Sequence, residues 1–158
     1  MTELFYGKHK RKTLAVYLIL LALWLGFIFS NSLATGPESA EQSNKVVEFI
    51  QNIVRFFDSE AMVDASAVRT TAHFFEFFVL GTLYSIGTFF FKGNRASLFS
   101  FSLSLSLFTA LIDETVQLFS EGRGAQVTDV WVDFSGAFIA HLIMTMVYLT
   151  YKRKNSEA

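Results

Sequence analysis

Residues 13–37 read TLAVYLILLALWLGFIFSNSLATGP, which is 25 residues without a formal charge, opening with the unbroken apolar run Leu14–Phe29. A helix needs about 20 mainly apolar residues to cross the hydrocarbon core of a bilayer. Three later segments share this character, at residues 70–91, 96–120 and 130–151, and the first span covers residues 13–33. The distribution of apolar residues therefore excludes a soluble fold. It predicts an all-α integral membrane protein with four transmembrane helices in one domain, residues 1–158.

Composition excludes several classes of function. The 158 residues include no Cys, which excludes disulfide scaffolds, Cys-ligated zinc and thiol catalysis. The formal net charge is −1, whereas a protein that binds nucleic acid needs a basic face for the phosphates. We therefore expect the lipid bilayer, and not a nucleic acid, as the main partner.

Basic residues predict the orientation of the spans. Nine of the thirteen Lys and Arg residues fall on one side of the predicted membrane: Lys8, Lys10, Arg11, Lys12, Lys92, Arg95, Lys152, Arg153 and Lys154. The positive-inside rule then places both termini in the cytoplasm. An alternative for the first span is a cleaved signal peptide, because small residues at Ser32 and Ala34 follow the apolar run.

The segment between the first two spans predicts an additional, extracytoplasmic amphipathic helix at residues 39–57. Ser39 and Gln42 have the spacing of a capping box, and apolar residues such as Val46, Ile50 and Ile53 then recur at helical spacing. The helix would lie in the outer interface of the membrane or pack on the bundle as a lid.

The third span contains serines at every second position. This alternation is typical of a strand in water, but a lone strand in hydrocarbon leaves its backbone unpaired, so a helix is predicted. Ser100 and Ser104 then share a face on which they can bond to the preceding turn or to a neighbouring helix.

Ionisable and amide side chains within the spans cluster by depth. An ionisable group in hydrocarbon is costly and indicates function by default. At a rise of 1.5 Å per residue, the clustered groups fall within about 5–10 Å of the outer boundary. They are His73, Glu76, Asp113, Glu114, Gln117 and Asp133.

Helical spacing predicts which way these groups face. Arg69, His73 and Glu76 share one side of the second span. Asp113 and Gln117 share one side of the third span, with Glu114 one step round the helix. One side of the fourth span carries Asp129, Asp133, Gly136 and Ala140, and small residues let helices approach closely. We therefore expect three helices to direct polar groups into one pocket that opens to the outside.

Charge in this pocket is unbalanced, because the acids outnumber the cations. The acids are Glu76, Asp113, Glu114, Asp129 and Asp133, and the cations are Arg69, Arg123 and, when protonated, His73. Either some carboxyls stay protonated, or a bound cation or cationic ligand completes the balance. Carboxylates with one imidazole suit a divalent cation, although the sequence has no compact metal motif, so the cofactor is left open.

Two blocks of the sequence resemble the VanZ-like membrane protein family. Residues 69–81, RTTAHFFEFFVLG, are similar to its "AHF…(E/Y)…LG" helix, and residues 110–136 are similar to its block "DE…Q.F..GR…D…D..G". The resemblance implies a small polytopic cell-membrane protein, in a family named for a member associated with resistance to the glycopeptide teicoplanin. It also implies a functional set that consists of His73, Glu76, Asp113, Glu114, Gln117, Arg123, Asp129 and Asp133.

Four interpretations of function follow. In the first, His73, Glu76, Asp113, Glu114 and Asp133 carry out acid–base or metal-assisted chemistry on a lipid or lipid-linked envelope precursor, while Arg69, Gln117, Arg123 and Asp129 bind it. In the second, the same pocket binds or sequesters such a precursor without chemistry. In the third, the charged groups are interhelical ion pairs that only stabilise the bundle. Proton-coupled transport is the fourth, disfavoured because the inner halves of the spans carry no formal charge.

Overall fold

The computed structural model describes residues 10–57, 60, 62–91 and 93–156, and within them it contains five α-helices and no strand. Lys8 and Lys92, which contribute to the charge argument, lie outside the described residues. The elements are α1 (Lys10–Leu33), α2 (Gly36–Phe57), α3 (Ala65–Gly87) with a 3₁₀ turn at Thr88–Phe90, α4 (Arg95–Gln117) and α5 (Val127–Ser156).

The four predicted spans are confirmed as helices. α1, α3, α4 and α5 are each long and apolar enough to cross a membrane. The boundaries differ by a few residues from those expected, because side-chain caps decide where helices start. The Asp64 carboxylate accepts a hydrogen bond from the Ser66 N–H at 2.9 Å before α3, and Asn94 accepts one from the Ala96 N–H at 2.9 Å before α4.

The predicted capping box of α2 is wrong by one turn. The Thr35 N–H donates to the Glu38 carboxylate at 2.8 Å, and the Glu38 N–H donates to the Thr35 hydroxyl at 3.4 Å. The box is therefore Thr35 with Glu38, and not Ser39 with Gln42. A tertiary contact fixes this earlier start, because the Gly36 N–H donates to the Glu121 carbonyl at 2.8 Å.

α3 and α5 run parallel, and α1 and α4 run in the opposite direction. His73 lies near Asp133 at one end of the α3–α5 pair, and the rings of Phe89 and Tyr148 lie 5.7 Å apart at the other. We call the end where α1 and α4 finish the polar end and the opposite end the basic end. The basic end carries Arg11, Lys12, Arg95, Lys152, Arg153 and Lys154.

The core lies between the four long helices. Its buried members come from all four and are Ile28, Phe77, Leu80, Tyr84, Ala110, Val130 and Ala137. Large apolar side chains on the outer faces of these helices remain exposed, as lipid-facing surfaces require. Several polar residues of the spans are buried between the helices with this core, among them Asp113, Asp133 and His141.

Ser100 and Ser104 share a face of α4, as predicted, and that face points away from the bundle. Ser100 and Ser104 are exposed, whereas Ser102 and Ser106 are buried. Alternating serines provide two candidate faces on a helix, and packing against α5 selects the one that contains Ser102, whose hydroxyl lies 2.7 Å from Nε2 of His141.

α2 packs beside α3 and leaves most of its apolar side chains uncovered. Phe49, Ile53, Phe56 and Phe57 are exposed. Its buried residue Gln51 accepts a hydrogen bond from the Val63 N–H at 2.8 Å, which ties the helix to the segment before α3. One side of α2 thus contacts the bundle, and its apolar side faces outward.

Candidate functional site

Two glycines bring α3 and α5 into backbone contact. A Cβ on Gly136 would collide with the Phe74 carbonyl oxygen, and a Cβ on Gly81 would lie 2.7 Å from Cα of Ala137. Helices approach this closely only where side chains are absent. Because Phe74 follows His73 and Gly136 lies one turn after Asp133, the close approach also places His73 beside Asp133.

His73, Asp113 and Asp133 form a compact cluster, one residue from each of three helices. One potential ligand atom from each lies within 4.8 Å of the others. Nδ1 of His73 is 3.5 Å from Oδ1 of Asp133. Asp113 is 1% exposed and Asp133 is 0% exposed, so two carboxyl groups lie in the bundle interior. We call these three residues the acid–imidazole cluster.

The two acids of this cluster differ in their surroundings. Asp113 accepts hydrogen bonds from the Ser32 hydroxyl and from Nε2 of Gln117, the latter at 2.9 Å. Asp133, in contrast, has no hydrogen-bond donor for either oxygen among the described residues. A buried carboxyl group without donors is unusual and requires an explanation.

The end of α1 is fixed over this cluster by the segment between α4 and α5. The Ser120 hydroxyl donates to the Ser32 carbonyl at 2.8 Å, and Nη1 of Arg123 donates to the Asn31 carbonyl at 2.7 Å. Burial, followed by the nearby positive charge of Arg69, lowers the pKa of the Arg123 guanidinium from its ordinary value. An Arg side chain nevertheless stays protonated in proteins.

Glu76 lies beside the cluster on a cavity of about 170 Å³. Oε1 of Glu76 accepts a hydrogen bond from the Asn31 amide at 3.0 Å. Residues of α1, α2, α3 and the α4–α5 segment line this cavity, and its polar members are Asn31, Ser39, Gln42, Ser43, Arg69, His73, Glu76 and Arg123. We call it the polar cavity.

The remaining candidates lie around the cluster and the polar cavity. Arg69 and Asp129 line a second, smaller cavity of about 30 Å³ with His73. Glu114 is 3% exposed and accepts the Gln126 N–H at 2.8 Å, so one of its oxygens holds the segment that leads into α5. Gln117 is fully buried and contacts Asp113 instead of lining the polar cavity.

Sequence reasoning overlooked Asn31 and Ser32 as site residues. Both are neutral, so a search for costly charges passes over them, yet Asn31 contacts Glu76 and Ser32 contacts Asp113. A signal was present in the sequence, because the polar run Ser30–Ser32 ends the first span at the same depth as the acids of the other spans.

These features define a class: a multi-pass helical membrane protein with buried carboxyl groups and one histidine at one end of the bundle. A family model described as VanZ/LLP1 matches residues 16–148, and the chain belongs to that family. Comparison with the curated proteins and with the solved structures found no significant match.

Proposed function

We propose that the polar cavity receives the anionic headgroup of a lipid or lipid-linked cell-envelope precursor, and that the acid–imidazole cluster acts on it. The observation that carries this proposal is the position of His73. Its side chain borders the polar cavity and also contacts the buried Asp133. A headgroup in the polar cavity would therefore meet the His73 imidazole, which also contacts the buried Asp133.

The cations of the site suit an anionic headgroup. Arg69 and Arg123 both line the polar cavity, and an Arg fork binds phosphate or carboxylate oxygens in pairs. Nη1 of Arg123 is partly committed to the Asn31 carbonyl, which fixes the direction of the guanidinium. Arg69 and Arg123 are thus the anchors of the headgroup, whereas Asp129 lies with Arg69 on the smaller cavity and Gln117 holds Asp113.

The proposed orientation places the site outside the cell. The positive-inside rule puts the basic end in the cytoplasm, and the polar end, with the cavity, on the extracytoplasmic side. The exposed apolar residues of α2, such as Phe56, would then lie in the outer lipid interface. Glycopeptide resistance of the teicoplanin type, which the family resemblance implies, fits a site that alters envelope precursors there.

Single cysteines test the orientation directly, because the chain has none of its own. A Glu121→Cys variant places a thiol in the exposed loop at the polar end, and Asn155→Cys places one at the basic end. In intact cells, an impermeant maleimide should label only the first variant. Labelling of Asn155→Cys alone would put the cavity in the cytoplasm and would contradict the proposal.

Amide variants test whether the cluster carries out chemistry. Proton transfer by a positioned side chain contributes about 10²- to 10⁴-fold to a rate, so His73→Gln and Asp133→Asn should lower precursor conversion at least about 100-fold. Conversion is measured in lipid extracts of cells that express each variant at equal membrane levels, together with teicoplanin susceptibility. Glu41→Gln is the matched control, since Glu41 is exposed and forms an ion pair with Lys45 on its own helix at 2.9 Å.

Binding without chemistry is the second candidate function. It is supported by the two cavities that border His73, both of which are also lined by Arg69. It predicts that Arg69→Gln and Arg123→Gln weaken retention of a polyprenyl phosphate by the purified protein. His73→Gln would then leave cellular lipid composition unchanged. If all of these variants instead only lower the amount of folded protein, the charged groups are structural.

A further inference from the structure

We infer that the acid–imidazole cluster is a binding site for a divalent transition-metal ion, with Zn²⁺ as the best match to its ligands. His73, Asp113 and Asp133 would supply one nitrogen and two carboxylate oxygens. This inference deepens the proposed function, since it concerns the same site. Its test measures metal binding and not precursor conversion, so that its failure and the failure of the proposed function can be distinguished.

Distances favour a shared ion over a direct hydrogen bond. The 3.5 Å between Nδ1 of His73 and Oδ1 of Asp133 is longer than a good N–H···O hydrogen bond, which spans about 2.7–3.2 Å. Two ligand atoms on a tetrahedral zinc ion with bonds of about 2.1 Å lie about 3.4 Å apart. The third ligand atom, from Asp113, is within 4.8 Å of both. A small movement of the Asp113 side chain would therefore bring all three ligand atoms to bonding distance from one ion.

The unpartnered atoms of the cluster provide an independent argument. Asp133 is fully buried, and neither of its oxygens accepts a hydrogen bond from any described residue. Nδ1 of His73 also lacks a hydrogen-bond partner among those residues. The three atoms without a hydrogen bond are all metal-ligating types and come from two helices whose backbones touch at Gly136. A cation between them would satisfy all three at once.

The negative charge of the cluster also favours a bound divalent cation. Two buried aspartates beside a neutral imidazole leave two negative charges in a poorly solvated interior, and one divalent ion neutralises them. Glu76 and Arg123 line the polar cavity beside the cluster with opposite charges, so together they leave this balance unchanged. One imidazole with two carboxylates suits Zn²⁺ or Mn²⁺ better than Ca²⁺, which takes six to eight oxygen ligands.

Two hydrogen-bond donors hold the Asp113 carboxylate in place. Nε2 of Gln117 and the Ser32 hydroxyl both donate to Asp113, as the outer partners of metal-bound carboxylates do. Three protein ligands leave a further position for water or a substrate oxygen, which is the arrangement of a catalytic zinc site. The cluster could thus supply the metal-assisted form of the proposed chemistry.

The experiment uses full-length protein purified in detergent without chelator and loaded with Zn²⁺, Mn²⁺, Mg²⁺ or Ca²⁺ in separate samples. Mass spectrometry of the desalted protein should find about one equivalent of Zn²⁺ or Mn²⁺ per chain. His73→Ala and Asp133→Asn should lower the affinity at least about 100-fold, and Gln117→Leu about 10- to 100-fold. Glu76→Gln, an acid-to-amide change on the polar cavity but outside the cluster, should retain the metal.

A second measurement decides the question if a variant does not fold. Metal that binds only the folded state raises the thermal midpoint of the wild-type protein as its concentration increases. EDTA should lower that midpoint, and added Zn²⁺ or Mn²⁺ should restore it. The inference is wrong if the wild type retains neither ion, if it retains only Mg²⁺ or Ca²⁺, or if the Glu76→Gln control loses metal as fully as Asp133→Asn.

Discussion

The polar end and the middle of the bundle each contain a histidine, and the two histidines differ in their hydrogen bonds. His141 is fully buried, with Nδ1 2.7 Å from the Ala137 carbonyl and Nε2 2.7 Å from the Ser102 hydroxyl. A carbonyl oxygen only accepts, so Nδ1 carries the proton, and Ser102 donates to Nε2 of the neutral ring. His73 borders two cavities, and its Nδ1 has no hydrogen-bond partner among the described residues.

This contrast lies in how completely each polar group is hydrogen-bonded within the protein. Around His141 the donors and acceptors are paired within the protein. Near the basic end, Nη1 of Arg95 donates to the Thr88 carbonyl at 3.0 Å, and its guanidinium lies 5.5 Å from the centre of the Phe89 ring. In the acid–imidazole cluster, Nδ1 of His73 and both oxygens of Asp133 lack a hydrogen bond to any described residue. The buried Ser85 hydroxyl lacks one as well, so the gathering of several such atoms in one cluster, and not burial alone, motivates the proposed metal site.

The largest expected effect comes from breaking the helix contact that assembles the cluster. A valine at Gly136 would place Cβ against the Phe74 carbonyl, and backbone atoms cannot move aside as a side-chain tip can. Gly136→Val should therefore lower the free energy of unfolding by more than about 3 kcal/mol. Reversible unfolding by SDS titration measures the loss.

The control for this change is another glycine within a span. A Cβ on Gly26 of α1 meets no heavy atom within 4 Å, so Gly26→Val should change stability little. Equal losses from the two variants would show that any added bulk in a span destabilises the protein, and that α3 and α5 do not depend on close contact.

Removing each histidine in turn tests the difference between their hydrogen bonds. His141→Ala leaves a cavity and removes the hydrogen bond between Ser102 and Nε2, and should lower the free energy of unfolding by about 2–3 kcal/mol. His73→Ala removes a mostly buried ring and its contact with Asp133 but no hydrogen bond made by Nδ1, so in metal-free buffer its loss should be smaller, about 1–2 kcal/mol. Thermal unfolding of both variants in detergent with EDTA gives the comparison, and a reversed order would refute it.

A smaller effect is expected from removal of the Tyr84 hydroxyl, which is hydrogen-bonded to Thr109 in the bundle interior. Thr109 donates its hydroxyl proton to the Leu105 carbonyl at 2.9 Å, so the buried Tyr84 hydroxyl, 3.0 Å from Thr109, acts as the donor. Tyr84→Phe should lower the free energy of unfolding by about 0.5–1 kcal/mol. The same change at the exposed Tyr151 should have no measurable effect in the same unfolding assay.

Hydropathy and helical spacing predicted much of this architecture. Span length identified α1, α3, α4 and α5, because hydrocarbon admits no other fold for such segments. The stripe of Asp129, Asp133, Gly136 and Ala140 was expected to face inward; the last three residues are buried, and Asp129 at the end of the stripe is half-buried. These predictions rest on constraints that act along one helix, which is why a sequence alone reveals them.

Features that depend on contacts between helices were not predictable in the same way. Two overlapping capping patterns occur near Pro37, and only the contact of Gly36 with Glu121 selects the earlier one. Likewise, the third span has two equivalent serine faces, and His141 on α5 selects Ser102. The pairing of Asn31 with Glu76 joins residues 45 positions apart, a relation that periodicity cannot show.

The smallest expected effect concerns Glu38, an exposed carboxylate that contrasts with the unpartnered acids of the cluster. Hydrogen bonds from the Thr35 N–H and hydroxyl lower the pKa of Glu38 from its ordinary value of 4.5. A lowered pKa means that this cap contributes fully above pH 4.5 and is lost as pH falls through the lower, folded-state pKa. Amide hydrogen exchange at the start of α2 should therefore lose protection in acid, and a Glu38→Gln variant at matched pH should show a weaker pH dependence. If the protection of wild type and variant changes in parallel with pH, the cap is not the cause, and the contact of Gly36 with Glu121 alone holds this end of the helix.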